Sequence, residues 1–185
     1  MRDERARLAG LASGRRVLNL FAYTGTLSVA TASGGASRVT SVDRSEGVLA
    51  WARDHFALNA LATPHDTVAD DAGRYLAAAG TRAERFDLVL IDPPSYSAAR
   101  DAPFAVDRDY AALVAAACAV LAPEGLLWLA SNTRGFSLTG AGHAGATAAG
   151  RLADVVAEGG LPPDYPTELS DSEARYLRTL LLRVR

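Results

Sequence analysis

The stretch "FDLVLIDPPSYS", residues 86–97, determines how the rest of the sequence is interpreted. Leu88 to Ile91 form an apolar run without polar alternation, which is typical of a strand buried on both faces. Asp92 ends this run, and Pro93 and Pro94 follow it. Each proline ring fixes φ and removes a backbone donor, so regular structure stops there. The stretch therefore predicts a buried strand that delivers a carboxylate to a rigid corner.

Four further apolar runs accompany this strand, and helical patterns separate them. One such helix is expected after Ser45, which is placed as its N-cap, and another ends near Pro123. Strands that alternate with helices favour a mostly parallel sheet covered on both faces, so an α/β fold is predicted. The four runs are Val17 to Phe21, Val39 to Asp43, Thr67 to Asp70 and Gly125 to Asn132.

The C-terminal third is expected to differ from the rest of the chain. A Gly/Ala-rich stretch between Gly135 and Gly150 is interpreted as a mobile loop. The segment "GRLADVVAEGG", residues 150–160, is predicted to be a helix, after which prolines break the chain. The segment "ARYLRTLLLRV", residues 174–184, is predicted to be a closing strand that runs antiparallel to the others.

Composition excludes several classes of protein. The chain has 185 residues, which fits one domain, and no apolar run approaches the roughly 20 residues that span a bilayer. Because the N-terminus "MRDERARLAG" is charged and unlike a signal peptide, a cytoplasmic location without membrane contact is expected. Cys118 is the only cysteine, and the three histidines lack ligand spacing, so neither a disulfide nor a metal site is predicted.

Polar residues recur where the predicted strands end. Phe21 leads into "AYTG", while Asp43, Asp70, Asp92 and Asn132 each close an apolar run. In open α/β sheets, ligands bind outside the carboxyl ends of the strands, where the strand order reverses. We therefore expect the functional site along this rim.

The first strand and its turn narrow the choice of ligand. Gly25 stands alone at the bend, so neither the G-x-G-x-x-G turn that cradles a pyrophosphate nor a P-loop is present. Asp43 ends the second strand and can accept hydrogen bonds from two ribose hydroxyls. The rim therefore favours a ligand that carries a nucleoside but no pyrophosphate.

Three segments together resemble the class I S-adenosylmethionine-dependent methyltransferases. They are "VLNLFAYTGTLSVATASGGASRVTSVDRS", "FDLVLIDPPSYS" and "SNTRGF". The resemblance extends from about Arg15 to Phe136 and is strongest to the bacterial large-subunit ribosomal RNA methyltransferases, especially their guanine-N7 methylating domain. It implies a Rossmann-like, seven-stranded, mostly parallel sheet with helices on both faces and an antiparallel last strand. Residues 15–185 would form this domain, after a helical lead over residues 1–14.

The same resemblance implies roles for individual residues. The cofactor would be S-adenosylmethionine, with S-adenosylhomocysteine as its product, and Asp43 would bind the ribose. Asp70 would face the adenine amine, with Asp71 as the alternative. The cofactor-binding residues would be Asn19, Phe21, Tyr23, Thr24, Gly25, Asp43, Arg44, Asp70, Asp71 and Asp92; the catalytic residues Asp92, Pro93, Pro94 and Tyr96; and the substrate-binding residues Ser95, Tyr96, Arg100, Arg108 and Arg134.

Methyl transfer explains why a rigid corner would carry these residues. The reaction is an in-line displacement, and alignment of donor and acceptor can supply roughly 7–11 kcal/mol. Removing a base from its stack costs free energy, and stacking of the base on an aromatic ring can offset this cost. Tyr96 is the candidate for that ring. Guanine N7 and an exocyclic amine both remain open as acceptors. Methylation at cytosine C5 needs a thiolate, but Asn132 and Thr133 occupy the expected position.

Three functions are consistent with these observations. An RNA methyltransferase is favoured, although a net charge of −2 implies that RNA affinity comes from a local arginine patch or from a separate or missing RNA-binding module. The segment from Ser97 to Tyr110 would form part of the substrate rim. The second possibility is a methyltransferase of a small molecule or protein, favoured by the pI of 5.9. The third is an inactive cofactor-binding subunit, against which Asp43 and Asp92 argue.

Overall fold

The computed structural model describes residues 1–97, 104–162 and 177–185. Helices and strands alternate along the chain, as predicted. The helices are α1 (Arg2–Leu11), α2 (Thr26–Ser33), α3 (Glu46–Leu58), α4 (Ala72–Thr81), α5 (Val106–Val120) and α6 (Leu138–Ala148). The strands are β1 (Arg16–Leu20), β2 (Arg38–Asp43), β3 (His65–Ala69), β4 (Phe86–Ile91), β5 (Tyr96–Ser97), β6 (Phe104–Ala105), β7 (Leu121–Ser131), β8 (Ala153–Gly160) and β9 (Arg178–Val184).

Seven of these strands form one sheet in the order β3-β2-β1-β4-β7-β9-β8. The first five are parallel to one another, whereas β9 is antiparallel to both of its neighbours. This arrangement confirms the predicted seven-stranded sheet with an antiparallel last strand. The strand order reverses beside β1, which lies between β2 and β4, so the carboxyl ends of β1 and β4 flank the switch point of the sheet.

Two hydrophobic cores cover the two faces of the sheet. On β4, Val89 and Ile91 pack into the core beneath α4, α5 and α6, while Leu88 and Leu90 pack into the core beneath α1, α2 and α3. All four side chains are fully buried. The apolar run lacks polar alternation because helices cover both faces of the strand.

Helix α1 is part of this packing. Leu8 is fully buried, and Glu4 accepts a hydrogen bond of 2.8 Å from the Trp128 indole nitrogen. Arg7 lies 3.2 Å from the same carboxylate, so the buried acid is both hydrogen-bonded and ion-paired. The division of the chain into a lead over residues 1–14 and a domain over residues 15–185 stays a prediction. Within the described residues, no helix is long and apolar enough to cross a membrane.

The prediction of a mobile loop between Gly135 and Gly150 is wrong, because this stretch contains helix α6. The Ser137 side chain accepts a hydrogen bond from the Gly140 amide and caps the helix. A Cβ at Gly145 would lie 2.5 Å from the Val114 side chain on α5. The glycines therefore allow close packing against α5 and β9, which compensates for their low helix propensity.

The prediction of a helix over residues 150–160 is also wrong. Residues Ala153 to Gly160 form β8, which pairs with β9 over its whole length. The β-branched residues Val155 and Val156 suit an extended strand, and β9 offers backbone partners along its length, with one irregularity between Val155 and Ala157. The predicted closing strand, β9, is confirmed as antiparallel over Arg178–Val184.

The packing of α6 yields a stability prediction with a matched control. We expect Gly145→Ala to lower the free energy of unfolding by about 1–3 kcal/mol, because the new methyl group would overlap Val114. Gly80 lies in helix α4, and a Cβ placed there would meet no atom within 4 Å, so Gly80→Ala should raise stability by about 0.5–1 kcal/mol. Urea denaturation measures both changes. Equal effects would contradict the close packing of α6.

Candidate cofactor and acceptor site

A cavity of about 600 Å³ opens at the carboxyl edge of the sheet, beside the switch point. It lies on the face covered by α4 and α5. Its walls combine residues from the ends of β1, β2 and β4 with the beginning of α4 and one side of α5. The lining residues are Phe21, Tyr23, Asp43, Arg44, Asp71, Ala72, Gly73, Asp92, Pro94, Phe104, Asp109, Ala112, Leu113 and Ala116.

The turn after β1 forms one wall and has an unusual backbone. Phe21 and Tyr23 have φ values of 56° and 48°, and Gly25 has 74°. Non-glycine residues in this region cost about 1–3 kcal/mol each, so the surroundings must stabilise the turn. A Cβ at Gly25 would lie 2.6 Å from the Ala52 Cβ on α3, so a side chain is excluded. The structure thus places Phe21, Tyr23 and Gly25 in one preformed turn.

His55 of α3 helps to fix this turn. Its Nδ1 lies 2.8 Å from the carbonyl oxygen of Thr24, so this nitrogen carries the proton and donates. The Ala22 amide donates to the Val42 carbonyl at 3.0 Å and ties the turn to β2. The sequence alone predicts no role for His55. Its partner is a backbone carbonyl distant in sequence, so no motif could have revealed the contact.

Asp43 lies at the end of β2, where two backbone amides hold its carboxylate oxygens in place. Oδ2 accepts from the Tyr23 amide at 2.9 Å, and Oδ1 accepts from the Ser45 amide at 3.0 Å. A carboxylate has about four acceptor positions, so each oxygen keeps capacity for a further donor. The Ser45 side chain makes no capping hydrogen bond to α3, although Ser45 occupies the N-cap position as predicted. Asp43 is thus arranged to accept hydrogen bonds from a diol.

Asp70 and Asp71 differ in their positions. Asp70 accepts from Arg74 Nε at 2.9 Å and does not line the cavity. Asp71 lines the cavity and caps α4, because its Oδ1 accepts from the amides of Gly73 and Arg74. Of these two acidic residues, Asp71 is therefore the one that faces the cavity.

Asn19 is 1% exposed and does not line the cavity, because its side chain lies on the opposite face of the sheet, toward α2. Its Nδ2 donates to Ser28 Oγ at 2.8 Å, and Ser28 Oγ lies 2.7 Å from Ser41 Oγ. Ser41 Oγ in turn lies 2.8 Å from His65 Nε2. Burial lowers the pKa of His65 to about 4, so the ring is neutral at pH 7 and can accept from Ser41. This series of hydrogen bonds connects β1, α2, β2 and β3, so the Asn19 side chain is bonded inside the protein and not at the cavity.

Asp92 follows β4 directly and enters the cavity from the corner made by Pro93 and Pro94. Pro93 is buried, which anchors the corner, and Pro94 lines the cavity. Desolvation raises the pKa of Asp92 from 3.8 to about 6. The hydroxyl of Tyr110 donates to the Ala130 carbonyl at 2.8 Å below this corner. Asp92 therefore occupies a fixed, partly desolvated position.

The raised pKa of Asp92 predicts a pH-dependent stability. An unfolded chain ionises Asp92 near pH 4, whereas the folded protein does so only near pH 6, so stability contributed by the neutral acid is lost as pH rises through this window. Asn cannot ionise, so Asp92→Asn avoids this loss. When the pH is raised from 4 to 7, we therefore expect the unfolding free energy of the variant to increase by about 2–3 kcal/mol relative to that of the parent. Chemical denaturation at both pH values measures the difference. A pH-independent difference would contradict the desolvation of Asp92.

The predicted substrate residues lie around the corner. Ser95 donates to Asn132 Oδ1 at 2.6 Å and accepts from Thr133 Oγ1 at 2.9 Å, so the turns after β4 and β7 are joined. Tyr96 is 68% exposed and has room for a stacked base. The remaining candidates are Arg108, which pairs with Asp109 at 2.7 Å; Arg134, which is exposed; and Arg100, which lies outside the described residues.

Sequence reasoning missed the apolar part of the cavity. The Phe104 ring lies 6.0 Å from the Phe21 ring, and Leu113 on α5 forms the opposite wall. The helical periodicity places Leu113 on an apolar face, and nothing in the sequence distinguishes a cavity wall from a core contact. Ala72 and Gly73 at the beginning of α4 complete a surface suited to a flat aromatic ring.

The charge of the cavity favours a cationic ligand. Four carboxylates and one guanidinium line it: Asp43, Asp71, Asp92, Asp109 and Arg44. Within the described ranges, no cluster of three or more His, Cys, Asp or Glu side chains could hold a metal ion. Cys118 is buried on α5, and burial raises the pKa of its thiol, which disfavours a nucleophilic thiolate. Acidic groups and a flat apolar wall fit a nucleoside that bears a positive charge.

The sheet order and the cavity at its switch point define a Rossmann-like ligand-binding domain. The family described as S-adenosylmethionine-dependent methyltransferase matches residues 1–183. The chain therefore belongs to the S-adenosylmethionine-dependent methyltransferase family. This assignment agrees with the nucleoside-bearing cation that the cavity favours.

Relatives and solved structures agree with this assignment. The chain is 49% identical over 143 residues to ribosomal RNA large subunit methyltransferase K/L of Chromohalobacter salexigens, covering 76% of this chain and 19% of the relative. It is 39% identical over 140 residues to ribosomal RNA large subunit methyltransferase K of Neisseria meningitidis, covering 74% and 40%. The crystal structure of SMU.776, assigned as a methyltransferase and complexed with SAH, superposes with a TM-score of 0.90 at 30% identity, covering 98% of this chain and 48% of that one. The chain thus spans less than half the length of these proteins.

Proposed function

We propose that this domain transfers a methyl group from S-adenosylmethionine to a nucleobase nitrogen of large-subunit ribosomal RNA. The observation that carries the proposal is the shared cavity of Asp43 and Asp92 at the switch point of the sheet. Asp43 is oriented for ribose hydroxyls, and Asp92 stands on the rigid corner where an acceptor would enter. The names of the relatives from Chromohalobacter salexigens and Neisseria meningitidis support ribosomal RNA as the substrate.

The residues of this chain can accommodate the cofactor. Asp43 would bind the ribose, Asp71 the adenine amine, and the turn from Phe21 to Gly25 the methionine portion. Bound there, S-adenosylmethionine supplies an electrophilic methyl group on a positively charged sulfur. Asp92 and the other carboxylates of the cavity favour this charge.

Guanine N7 is the acceptor that we favour. Its lone pair lies in the plane of the ring and carries no proton, so the protein needs to orient the base but not to deprotonate it. Tyr96 would stack on the base, which is worth about 1–3 kcal/mol. The bridge from Ser95 to Asn132 and Thr133 would keep the rim of the acceptor pocket in place. Arg100, Arg108 and Arg134 are the proposed phosphate contacts of this rim.

The pH profile distinguishes guanine N7 from an exocyclic amine. An amine acceptor needs ionised Asp92 to accept its hydrogen bond, so single-turnover rates should rise as Asp92 ionises, at or below the pKa of about 6 that it has in the cofactor-free cavity. Guanine N7 has no such requirement, and we expect no increase across this range. A rate that rises tenfold per pH unit below 6 would overturn the N7 assignment while leaving the methyltransferase assignment intact.

The direct experiment is transfer of a labelled methyl group to ribosomal RNA from cells that lack this gene, followed by nucleoside mapping. Labelled 7-methylguanosine in large-subunit RNA is the expected product. Label at another nitrogen would correct the acceptor. Absence of label, with S-adenosylmethionine still bound, would refute ribosomal RNA as a substrate. The reaction on ribosomal RNA also implies a cytoplasmic location.

The net charge of −2 favours a second candidate, a methyltransferase of a small molecule or protein. Salt dependence separates the two, because RNA binding releases counterions and weakens by roughly 0.7 log units per phosphate contact per decade of salt. A flat salt response of substrate affinity would favour the second candidate. For RNA, we infer that part of the affinity comes from a separate module, consistent with the greater length of the relatives.

A further inference from the structure

A second cavity, of about 820 Å³, lies at the opposite edge of the sheet, near the amino ends of β1, β2 and β4. Helix α4 connects the two cavities, because its first residues border the cofactor cavity and its C-terminal end borders the second. The second cavity is lined by Arg16, Val17, Arg38, Thr40, Asp66, Thr67, Val68, Tyr75, Arg82, Ala83, Glu84, Arg85 and Phe86. None of these residues has a role in the proposed methyl transfer.

The two cavities have opposite charge. Four arginines and two carboxylates line the second cavity, whereas one arginine and four carboxylates line the first. Asp87 pairs with Arg16 beside the second cavity, and counting it still leaves an excess of positive charge. Because the whole chain has a net charge of −2, this is a local concentration of basic groups. Such a concentration attracts anions.

Three of the arginines are oriented in the same way. A carboxylate pairs with the Nε atom in each case, at 3.6 Å between Arg16 and Asp87, 2.6 Å between Arg38 and Asp66, and 2.8 Å between Arg82 and Glu84.

These pairs engage the Nε atoms of Arg38 and Arg82, so the Nη groups can still donate to a ligand in the cavity. The Tyr75 ring lies 5.9 Å from the Arg82 guanidinium carbon and supports its position. The terminal donors of a guanidinium fork match two oxygens of a phosphate group.

A phosphate can compete for these arginines. Arg38 and Arg82 are 55% and 50% exposed, and ion pairs at such exposure contribute little to stability. A phosphate that binds through the Nη groups also leaves the Nε pairs intact. The carboxylates therefore orient the guanidinium groups at little cost to anion binding.

We propose that this second cavity, at the amino edge of the sheet, is a phosphate-binding site that contacts the backbone of the RNA substrate. The ten residues of α4 span about 15 Å, which is the length of roughly four to five stacked nucleotides. An RNA segment that presents a base to the cofactor cavity can therefore place a phosphate at Arg38 and Arg82. The RNA part rests on the proposed function, whereas phosphate binding does not.

The test compares two double variants that remove equal charge. Arg38→Gln/Arg82→Gln changes the cavity, and Arg5→Gln/Arg183→Gln removes two exposed arginines that do not line it. Each is titrated with a twelve-nucleotide single-stranded RNA and, separately, with ribose 5-phosphate, which lacks the adenine of the cofactor, at several salt concentrations. Thermal melting and S-adenosylmethionine affinity verify that both variants are folded.

We expect the cavity variant to bind RNA about tenfold more weakly, with a salt slope smaller by about 1.4, and the control variant to bind like the parent. If the parent binds ribose 5-phosphate but not RNA, and the cavity variant loses this binding, the phosphate site stands and the proposed RNA substrate fails. Equal binding of both ligands by the parent and the cavity variant would overturn the site, as would a parent that binds neither.

Discussion

Replacing Asp92 with alanine is expected to reduce methyl transfer about a hundredfold or more while weakening S-adenosylmethionine binding far less, because three other carboxylates still line the cavity. Loss of alignment by about 1 Å can have an effect of this size in an in-line reaction. Asp92 stands on a corner whose backbone is fixed by two prolines, so its carboxylate has a defined position beside the acceptor. Alanine would leave the corner in place and remove only the group that orients the base.

Asp87→Ala is the matched control for this experiment. Asp87 lies on the same strand, β4, but at its amino end, where it pairs with Arg16 at 3.6 Å. We expect the control to retain methyl transfer within about twofold, since surface ion pairs contribute little to stability. Single-turnover transfer of labelled methyl measures the rate, and calorimetry measures cofactor affinity. A fully active Asp92→Ala protein would remove Asp92 from the mechanism.

Replacing Asp43 with alanine is expected to weaken S-adenosylmethionine binding about a hundredfold or more. Hydrogen bonds to a charged group contribute about 1.5–3 kcal/mol each, and a ribose diol would make two. Alanine also removes the acceptor for the Tyr23 amide, which helps to fix a turn with three positive φ values. Direct contacts and preorganisation are therefore lost together.

Two comparisons isolate the ribose contact in Asp43→Ala. Asp43→Asn keeps one oxygen for a backbone amide but lacks the second acceptor, so its affinity should lie between those of the parent and the alanine variant. Glu46→Ala removes an exposed carboxylate three residues later, paired with Arg53 at 2.7 Å, and should bind the cofactor normally. Calorimetric titration distinguishes the three. Unchanged affinity in Asp43→Ala would show that the ribose lies elsewhere.

The positions of Asp43, Asp70 and Asp92 at strand ends could be predicted because the signal is local. An apolar run sets where a buried strand lies, and a polar residue that closes the run must stand at its edge. Because β3, β2, β1 and β4 are parallel neighbours, these edges coincide. The rim of the site thus followed from the spacing of polar residues along the chain.

The parts that could not be predicted depend on distant contacts. Helix α6 forms because Gly145 fits against Val114, and the sequence around Gly145 gives no indication of that surface. Strand β8 forms because β9 supplies hydrogen-bond partners from far along the chain. His55 donates a hydrogen bond to the Thr24 carbonyl, and the Asn19 side-chain amide donates one to Ser28 inside the protein. Local propensity cannot encode these tertiary contacts.

The placement of β9 between β7 and β8 determines when the sheet can be completed. Residues 153–160 have their backbone partners in residues 178–184, which in turn must pair with residues 125–131. While the ribosome is still making the chain, β7 and β8 therefore lack the backbone partners that β9 later supplies. Chaperone binding to nascent chains should fall sharply once residue 184 has left the exit tunnel. The cofactor pocket, built from earlier segments, can take shape before that moment.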